Sequence, residues 1–513
     1  MGIDFLLEGQ IQSLFFEFLS ERFDIKEIQI NKNFSNEFKI LNDENDNKKN
    51  VILKSNNEYV SFDIDIITKK NCNDVLNKDN NNDSNIIIIE KIMNVCNKYR
   101  LENIEESNES INIFEINKYS LDFNVWENDI VVDILGLGKF CSMTLYYMSI
   151  NETNMTEFDY KINFSDRIVL DIEGIKDLIC NRLNIVEKDT CLNYFKLLSY
   201  LSMSNTHIHP NGFRPIMKEI VNRHKAFNFL KNNNKVFIDL FVNTVISRIY
   251  YELDILELKR LRYKDIKNSN IFDILSNIKG EETFDDLVHY FSYQHFYVLY
   301  YRFIELDNDE DQELTFNEFK NHDNNSITEF AANRIWKCNI ESKSSLFNDC
   351  IINKDRKMNY YDFLYFYISD EDKTSEKSIR YWFEIVDLDC DGWISKDEIE
   401  SFYNEQKKRI DDLNYSIPEF NSVLCMMNDL LMPSTENKFR LDDFIRNRLI
   451  AGHFFNILIN TKKCITTILM DGEFNTINSF LQSIETNKHI SPWDLHCYYQ
   501  YQIIQGSNGD ENT

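Results

Sequence analysis

The sequence predicts a mainly α-helical protein, built of helix–loop–helix pairs on a helical scaffold and preceded by a divergent N-terminal module with room for some β structure. Apolar residues recur at helical spacing from Ile168 to about Leu287. Two twelve-residue segments with acids at alternate positions, Asp307–Glu318 and Asp387–Glu398, lie between further apolar stripes. Glycine and proline, which end helices, number 12 and 5 in 513 residues, so long helical runs are expected.

Residues 1 to about 165 have the weakest periodicity. Phe5–Phe23 has the apolar spacing of an amphipathic helix, and apolar residues alternate with polar ones from Val60 to Ile66, as in a half-buried strand. Two asparagine-rich runs, Asn42–Asn50 and Asn71–Asn85, are too polar to pack in a core and are predicted to be disordered loops. These patterns together predict an irregular, mixed module.

Apolar stripes become regular after Ile168. Leu192–Met203, Phe213–Phe229 and Val236–Leu258 each carry one, as expected of stacked helix pairs. The loop between the first two stripes contains two histidines, His207 and His209. Zinc requires four ligands and no further ligand with suitable spacing is nearby, so a loop without metal is the better interpretation.

The segment Asp387–Glu398, DLDCDGWISKDE, fits the calcium-loop pattern D-x-[DN]-x-[DN]-G-x5-E at every fixed position. Ca²⁺ takes six to eight oxygens at about 2.3–2.6 Å, so acids at alternate positions of a tight loop can converge on one ion. An acidic surface helix is the alternative interpretation. We predict that this segment, the 387 loop, binds Ca²⁺ through the side chains of Asp387, Asp389, Asp391 and Glu398, the carbonyl of Trp393, and Ser395 by way of a water.

Amphipathic helices are predicted on both sides of the 387 loop. Apolar residues precede it at the i, i+3, i+4, i+7 spacing, and others follow it with the same period. Helix, loop and helix together form an EF-hand, in which the apolar residue at position eight, Ile394, pairs one loop with a neighbour. The residues of the stripes are Ile379, Trp382, Phe383 and Val386 before the loop and Ile399, Phe402 and Tyr403 after it.

A second acidic loop, Asp307–Glu318 (DNDEDQELTFNE), lies upstream and is called the 307 loop. Leu299, Phe303 and Leu306 form its entering stripe. Gln312 replaces the glycine at the sharp bend, where a positive φ costs a non-glycine residue roughly 1–2 kcal/mol. We therefore expect weaker calcium binding here, through the side chains of Asp307, Asp309, Asp311 and Glu318 and the carbonyl of Glu313, with Leu314 as the pairing residue.

Each acidic loop is followed by a helix–loop–helix segment without alternating acids. After the 307 loop, Ser326 and Glu329 predict a capping box that opens a helix, and another helix resumes near Tyr360. After the 387 loop, helices at Pro418–Leu431 and about Leu441–Leu449 flank the loop MPSTENKFRLDD. EF-hands bury each other's apolar faces in pairs, so these segments are predicted to be metal-free partners.

The predicted domains follow from these patterns. Residues 203–213 could be the loop of a further EF-hand that has lost its acids, and Ser491, Pro492 and Asp494 have the N-terminal signature of a last helix. The predicted parts are 1–165, the divergent module with asparagine-rich loops; 166–285, an EF-hand-like helical domain without metal; 286–450, an EF-hand domain with the 307 and 387 loops and their degenerate partners; and 451–513, C-terminal helices and a polar tail.

Charge and cysteine content limit the class of partner and the compartment. A formal charge of −28 and a pI near 4.8 argue against nucleic acid or an anionic membrane surface as a partner. Eleven cysteines without a CxxC pair suit a reducing compartment. We find neither an apolar run of eighteen residues nor a signal peptide, and expect a soluble protein in the cytoplasm, with the nucleus and the centrosome as further options.

Several stretches resemble one family, the B'' regulatory subunits of protein phosphatase 2A. The resemblance covers roughly residues 200–505 and rests on a combination of motifs. These are FSYQHFYVLYYRFIELD (291–307), YWFEIVDLDCDGWIS (381–395), the Met432-Pro433 turn, NGFRPIMKEIVNRHKAFNFL (211–230) and VNTVISRIYY (242–251). Residues 1 to about 165 contain no stretch that matches the family.

The resemblance implies a regulatory subunit that performs no catalysis. Such a protein would dock on the helical-repeat scaffold subunit, lie near the catalytic subunit and select phosphoprotein substrates, with Ca²⁺ favouring assembly. A stand-alone EF-hand calcium sensor or adaptor without phosphatase is the alternative. An enzyme is the third class, but the sequence has no nucleophile elbow, HExxH, phosphate-binding loop or kinase signature, so no catalytic residue and no organic cofactor are predicted.

Overall fold

Six helix–loop–helix units, coupled in three pairs, occupy most of the described chain between residues 190 and 446 in the computed structural model. The chain divides into two compact units, residues 1–84 and 85–513. The structure describes residues 51–55, 58–62, 85–98, 118–150, 167–187, 189–231, 235–280, 282, 289–347, 356–469 and 491–510.

The described part of the first unit is an antiparallel hairpin. Strands β1 (Val51–Ser55) and β2 (Glu58–Phe62) pair with Leu53 opposite Val60. The strand predicted from Val60 to Ile66 is thus present as far as Phe62. Its remainder, the helix predicted at Phe5–Phe23 and the asparagine-rich runs lie outside the described residues, apart from the last residue of the second run, residue 85, which begins a helix.

The second unit begins with a small mixed segment. Strands β3 and β4 pair antiparallel, with Lys118 opposite Asp171. These two paired strands lie on either side of residue 165 in the sequence. The predicted domain boundaries at 165, 285 and 450 stay predictions. The elements are α1 (85–98), β3 (Lys118–Asp122), α2 (Phe123–Val125), a π-helical turn (Trp126–Val132), a 3-10 turn (Lys139–Cys141), α3 (Ser142–Ser149), β4 (Arg167–Asp171), α4 (Ile172–Lys176) and a π-helical turn (Asp177–Leu183).

The first pair of units is joined by a β-bridge between Ile208 and Leu261, both fully buried. Proline at the first position of α6 fixes its start, because proline lacks the N–H that a first turn leaves unpaired. The elements are α5 (Thr190–Leu201), α6 (Pro210–Arg223), a 3-10 turn (Lys225–Phe227), α7 (Asn228–Lys231), α8 (Lys235–Leu253), α9 (Tyr263–Lys267) and α10 (Ile271–Asn277).

The second pair contains the 307 loop. Buried Leu314 pairs with buried Met358 across a two-residue antiparallel ladder. The elements are a 3-10 turn (His289–Phe291), α11 (Tyr293–Leu306), β5 (Glu313–Leu314), α12 (Phe316–Lys320), α13 (His322–Asn325), α14 (Glu329–Ile335), a π-helical turn (Trp336–Glu341), β6 (Met358–Asn359) and α15 (Tyr360–Glu371).

The third pair contains the 387 loop, and three helices follow it. Ile394 pairs with Phe439, and both are buried. The elements are α16 (Glu376–Val386), β7 (Trp393–Ser395), α17 (Lys396–Asp412), α18 (Phe420–Leu431), β8 (Lys438–Arg440), α19 (Leu441–Arg446), α20 (Arg448–Ile459), α21 (Thr461–Leu469) and α22 (Pro492–Asp510). The polar tail predicted after residue 505 therefore continues α22 as far as Asp510.

The predicted mainly helical class and EF-hand pairing are confirmed, and the apolar stripes form the core. Trp382 in α16 and Phe402 in α17 are fully buried, and Phe303 in α11 nearly so. The predicted capping box at Ser326 is wrong, because Thr328 is the N-cap of α14 and accepts the N–H of Ala331. Among the described residues, no helix combines the length and apolar character needed to cross a membrane.

Candidate metal centres

The 387 loop directs three carboxylates to one point. It begins where α16 ends and continues through β7 into α17. Ligand oxygens of Asp387, Asp389 and Glu398 lie within 4.8 Å of one another. Asp387 and Glu398 are buried, whereas Asp389 reaches the surface. The fold therefore brings together acids from positions 1, 3 and 12, as the sequence predicts.

Backbone and hydroxyl groups hold these acids in place. Gly392 N–H donates to Oδ2 of Asp387 at 3.0 Å, and Leu388 N–H donates to Oε1 of Glu398 at 2.5 Å. The N–H and hydroxyl of Ser395 donate to Oε2 of Glu398 at 2.7 and 2.8 Å. Ser395 is also the N-cap of α17, so the start of that helix and the position of Glu398 are fixed together.

The 307 loop repeats this arrangement. Gln312 N–H donates to Oδ2 of Asp307 at 2.9 Å, and Asn308 N–H donates to Oε1 of Glu318 at 3.0 Å. Thr315 N–H donates to Oε2 of Glu318 at 2.8 Å. In this loop the group of oxygens within 4.8 Å comes from Asp307, Asp309 and Asp311.

The backbone of both loops turns left-handed at positions four and six. The φ angles at position four are +60° for Glu310 and +60° for Cys390, and those at position six are +67° for Gln312 and +83° for Gly392. Gln312 thus has the same backbone turn as the glycine it replaces.

Each loop contains a buried carboxylate oxygen that is suited to binding a cation. Oδ1 of Asp307 and Oδ1 of Asp387 are buried and have no hydrogen-bond partner among the described residues. A buried carboxylate oxygen without a donor or cation is costly, so such atoms are rare unless a ligand completes them. Hard carboxylate oxygens in this number and spacing fit Ca²⁺.

Burial and like charge act on the first acid of each loop. Burial, followed by repulsion from Asp311 and Asp309, raises the pKa of Asp307 to about 6. Burial, with repulsion from Glu398, also raises the pKa of Asp387. A nearby divalent cation would favour the ionised form of both acids.

The acids at position five, Asp391 and Asp311, accept hydrogen bonds from the backbone of their own loops. Oδ1 of Asp391 accepts the N–H of Trp393 at 2.8 Å, and Oδ1 of Asp311 accepts the N–H of Glu313 at 2.9 Å. Coordination by the carbonyls of Trp393 and Glu313, and by Ser395 through a water, stays a prediction.

The four loops that are predicted to be metal-free keep the same frame in their described residues. Counted from the paired apolar residue at position eight, they span 201–212, 254–265, 351–362 and 432–443. In the 254 loop, Glu257 and Lys259 at positions four and six both have φ of +54°, and Lys259 N–H donates to Oδ2 of Asp254 at 2.6 Å. This loop has leucines at positions three and five, so its ligand set is incomplete although its backbone is preserved.

Basic residues around the acidic loops were not predicted from the sequence. Lys357, at position seven of the 351 loop, forms an ion pair with Asp311 of the 307 loop. Arg334 in α14 donates to the carbonyls of Ile385 at 3.1 Å and Asp387 at 2.5 Å, at the start of the 387 loop. Both basic residues lie in a helix–loop–helix segment without alternating acids, but that position does not specify which group of a neighbouring loop each one contacts.

In a third group of possible metal ligands, lysine side chains of the same chain balance the negative charge. Ligand atoms of His322, Asp370 and Glu371 lie within 4.8 Å of one another. Lys373 and Lys463 contact Asp370 at 2.5 and 2.7 Å. Burial opposes ionisation of Asp370, yet these ammonium groups hold its pKa well below the ordinary value. Two cations therefore occupy the place of a metal, and we infer no metal site there.

Paired helix–loop–helix units with two acid-lined loops define a protein of the EF-hand class. A family model described as an EF-hand domain matches residues 189–281, which contain the 201 and 254 loops. The match falls within residues 166–285, which are predicted to form an EF-hand-like helical domain without metal.

Curated relatives are similar to this chain over more than half of its length. A probable B''delta regulatory subunit of serine/threonine protein phosphatase 2A from Arabidopsis thaliana is 30% identical over 319 residues, 62% of this chain and 56% of that protein. The beta form of the human B'' regulatory subunit is 32% identical over 293 residues, 57% of this chain and 49% of that protein. A solved chain from a PP2A PR70 holoenzyme is 30% identical with a TM-score of 0.49, covering 54% of this chain and 99% of that one.

The chain is therefore a homologue of the B'' regulatory subunits of protein phosphatase 2A over about 60% of its length, and the resemblance predicted from its motifs is confirmed. It spans about half the length of the curated relatives it matches.

Proposed function

We propose that this chain is a calcium-binding regulatory and targeting subunit of a protein phosphatase 2A holoenzyme. It would dock on the scaffold subunit, direct the catalytic subunit to phosphoprotein substrates, and perform no catalysis itself. The observation that carries this proposal is the 30–32% sequence identity to proteins named as regulatory subunits. We place the protein in the cytoplasm, with the nucleus and the centrosome as further options.

The two acidic loops support the calcium part of the proposal. Bound Ca²⁺ would supply the positive charge that balances the converging carboxylates. Asp387 follows the last residue of α16, and Glu398 lies in the first turn of α17. Because the two acids lie at the adjoining ends of different helices, holding them at one point limits the angle between those helices. A docking surface formed by both helices then depends on occupation of the loop.

Calcium binding can be measured through Trp393, which is in the 387 loop and has the guanidinium of Arg440 4.0 Å from its ring centroid. We expect a saturable change in tryptophan fluorescence as Ca²⁺ is added to the full-length chain. The change should be lost in Glu398→Gln, which removes the charge of position 12, and in Trp393→Phe, which removes the reporter. Retention of the change in Trp393→Phe would assign it to another tryptophan.

Assembly is tested by mixing the full-length chain with purified scaffold and catalytic subunits and separating the mixture by size. We expect a trimer in the presence of calcium, and less trimer with chelator or with Glu398→Gln. Absence of a trimer in both conditions overturns the phosphatase role. Calcium binding without assembly would instead support a stand-alone calcium sensor.

A further inference from the structure

We propose that Lys357 is a tethered competitor of Ca²⁺ in the 307 loop, an inference that rests on the proposed calcium-binding function. Its ammonium group forms an ion pair with Oδ2 of Asp311 and lies 3.9 Å from Oδ2 of Asp309. These acids occupy positions five and three, and their oxygens belong to the group that converges with Asp307. The lysine therefore holds two of the acids that a metal ion would use.

The backbone at Lys357 is held in place by the residues on both sides of it. Met358, the next residue, is buried in the β5–β6 ladder opposite Leu314. On the other side, Arg356 pairs with Asp362 and donates to the carbonyl of Ile340 at 3.1 Å. An ammonium group carried by so constrained a backbone stays near its carboxylates at a high effective concentration, unlike a free cation from solvent.

The 387 loop and its partner, the 432 loop, can be compared with the 307 and 351 loops. Lys438 is at position seven of the 432 loop, the position that Lys357 has in the 351 loop. Within the described residues, Lys438 forms no ion pair with Asp389 or Asp391. Two guanidinium groups lie beside the 387 loop: that of Arg334 binds the carbonyls of Ile385 and Asp387, and that of Arg440 lies over the ring of Trp393. Among the described residues, the lysine at position seven of the partner loop therefore reaches the carboxylates of the 307 loop but not those of the 387 loop.

Two effects of Lys357 weaken calcium binding. The ammonium group reduces repulsion among the acids of the metal-free loop, which stabilises that state, and it must move or share its acids when an ion enters. The ion pair is partly exposed, at 33% for Lys357 and 37% for Asp311, so its effect is moderate. We expect a roughly three- to tenfold loss of affinity, larger at low salt than at high salt.

Displacement would also alter the surface. An ammonium group released from Asp311 becomes available to solvent or to a partner on the 351 loop. Occupation of the 307 loop would then expose a positive charge on the neighbouring loop. The 387 loop, without such competition, is expected to fill first as calcium rises.

The test measures calcium binding by isothermal titration calorimetry on the full-length chain. Glu398→Gln serves as the background, so that the heats report the 307 loop. In this background, Lys357→Met should raise the affinity roughly three- to tenfold, Lys357→Arg should leave it low, and the matched control Lys438→Met should change it less than about twofold. The gain from Lys357→Met should shrink at high salt.

Each outcome decides the inference. An unchanged affinity in Lys357→Met overturns it while leaving calcium binding intact. Binding that is absent in the background but present in Lys357→Met supports it. Binding absent from both overturns the inference together with the calcium role of the 307 loop. Circular dichroism checks folding, and Lys357→Gln, which keeps a polar side chain at this partly exposed position, replaces Lys357→Met if that variant does not fold.

Discussion

Gln312 has a strained backbone, and the free energy of that strain can lower either the stability of the fold or the affinity for Ca²⁺. It adopts a φ of +67° where the 387 loop has Gly392, and a non-glycine residue in this region costs roughly 1–2 kcal/mol. We expect the loop to keep this φ when an ion binds, so that the cost falls on folding and hardly changes on binding. Competition from Lys357 is a better physical cause for the weaker binding that we expect in this loop.

Reciprocal substitutions at position six test whether the strain at Gln312 lowers the stability of the fold and leaves calcium affinity unchanged. Gln312→Gly should raise the free energy of unfolding by about 0.5–1 kcal/mol, because relief of the backbone strain exceeds the extra chain entropy of glycine. Gly392→Gln should lower it by a similar amount, since a Cβ there meets no atom within 4 Å and the cost is that of the backbone alone. Urea unfolding in chelator measures both changes.

Calcium titration of the same two variants measures whether the strain also affects binding. We expect affinities within about twofold of the parent, because the strain is present in the metal-free and the metal-bound loop alike. A tenfold gain in affinity for Gln312→Gly with unchanged stability would show that the strain arises on binding.

At this scale the sequence predicted the acids but not their cationic partners. Asp387, Asp389 and Glu398 could be predicted because a local loop converts fixed spacing into convergence. Lys357 is 46 residues from Asp311, and Arg334 is 53 residues from Asp387. Such contacts depend on how separate EF-hands pack, and local periodicity carries no information on that.

At the scale of elements, the metal-free loops act as structural partners of the acidic ones. Phe439 in β8 is fully buried opposite Ile394, and its ring lies 6.1 Å from that of Phe444 and thereby joins the core around α19. The entering and exit helices of the 387 loop bury their apolar stripes against this partner. The 432 loop therefore contributes to stability although it lacks the alternating acids of a calcium loop.

Truncation of Phe439 tests this structural role. Phe439→Ala should lower the free energy of unfolding by about 3–5 kcal/mol, because it removes a buried ring and leaves a cavity. Lys438→Ala, next to it in the same strand but exposed, should change it by less than about 0.5 kcal/mol. Urea unfolding in chelator separates the two, and a loss below about 1 kcal/mol for Phe439→Ala would contradict the role.

The capping box is where sequence reasoning about elements was wrong. Ser326 and Glu329 have the spacing of a capping box, but the structure uses Ser326 elsewhere. Its carbonyl accepts the N–H of Thr461 at 2.7 Å, and its hydroxyl accepts from the side chain of Asn460 at 3.0 Å. Ser326 thus makes contacts with a segment more than 130 residues away and does not form the capping box that its spacing from Glu329 predicts. Thr328 caps the helix instead.

At the scale of the whole second unit, Glu257 links the first pair of EF-hands to the other two. Its carboxylate contacts Lys377, near the start of α16, at 2.8 Å and Lys343, beyond α14, at 2.9 Å. Lys377 also donates to the carbonyl of Asp254 at 3.1 Å. The helix that enters the 387 loop is therefore anchored to the metal-free 254 loop, a connection that no local pattern in the sequence indicates.

This link should make stability depend on pH in acid. Burial opposes ionisation of Glu257, but Lys377 and Lys343 lower its pKa from 4.5 to about 2. The stabilisation is therefore complete above pH 4.5 and is lost as the pH falls through 2. Glu257→Gln should lower the free energy of unfolding at pH 7 by about 2 kcal/mol, less than the full shift implies because burial also lowers the pKa of Lys377.

Urea unfolding of Glu257→Gln and the parent between pH 7 and about pH 3 measures this dependence. The difference between the two should stay constant above pH 4.5 and narrow below it, because the unfolded parent then takes up a proton that the folded parent does not. Glu384→Gln is the control, since Glu384 shares Lys343 but is 48% exposed, and its effect should stay below about 1 kcal/mol. A difference for Glu257→Gln that does not narrow in acid would mean that this carboxylate supports the link through packing, and that its charge contributes little.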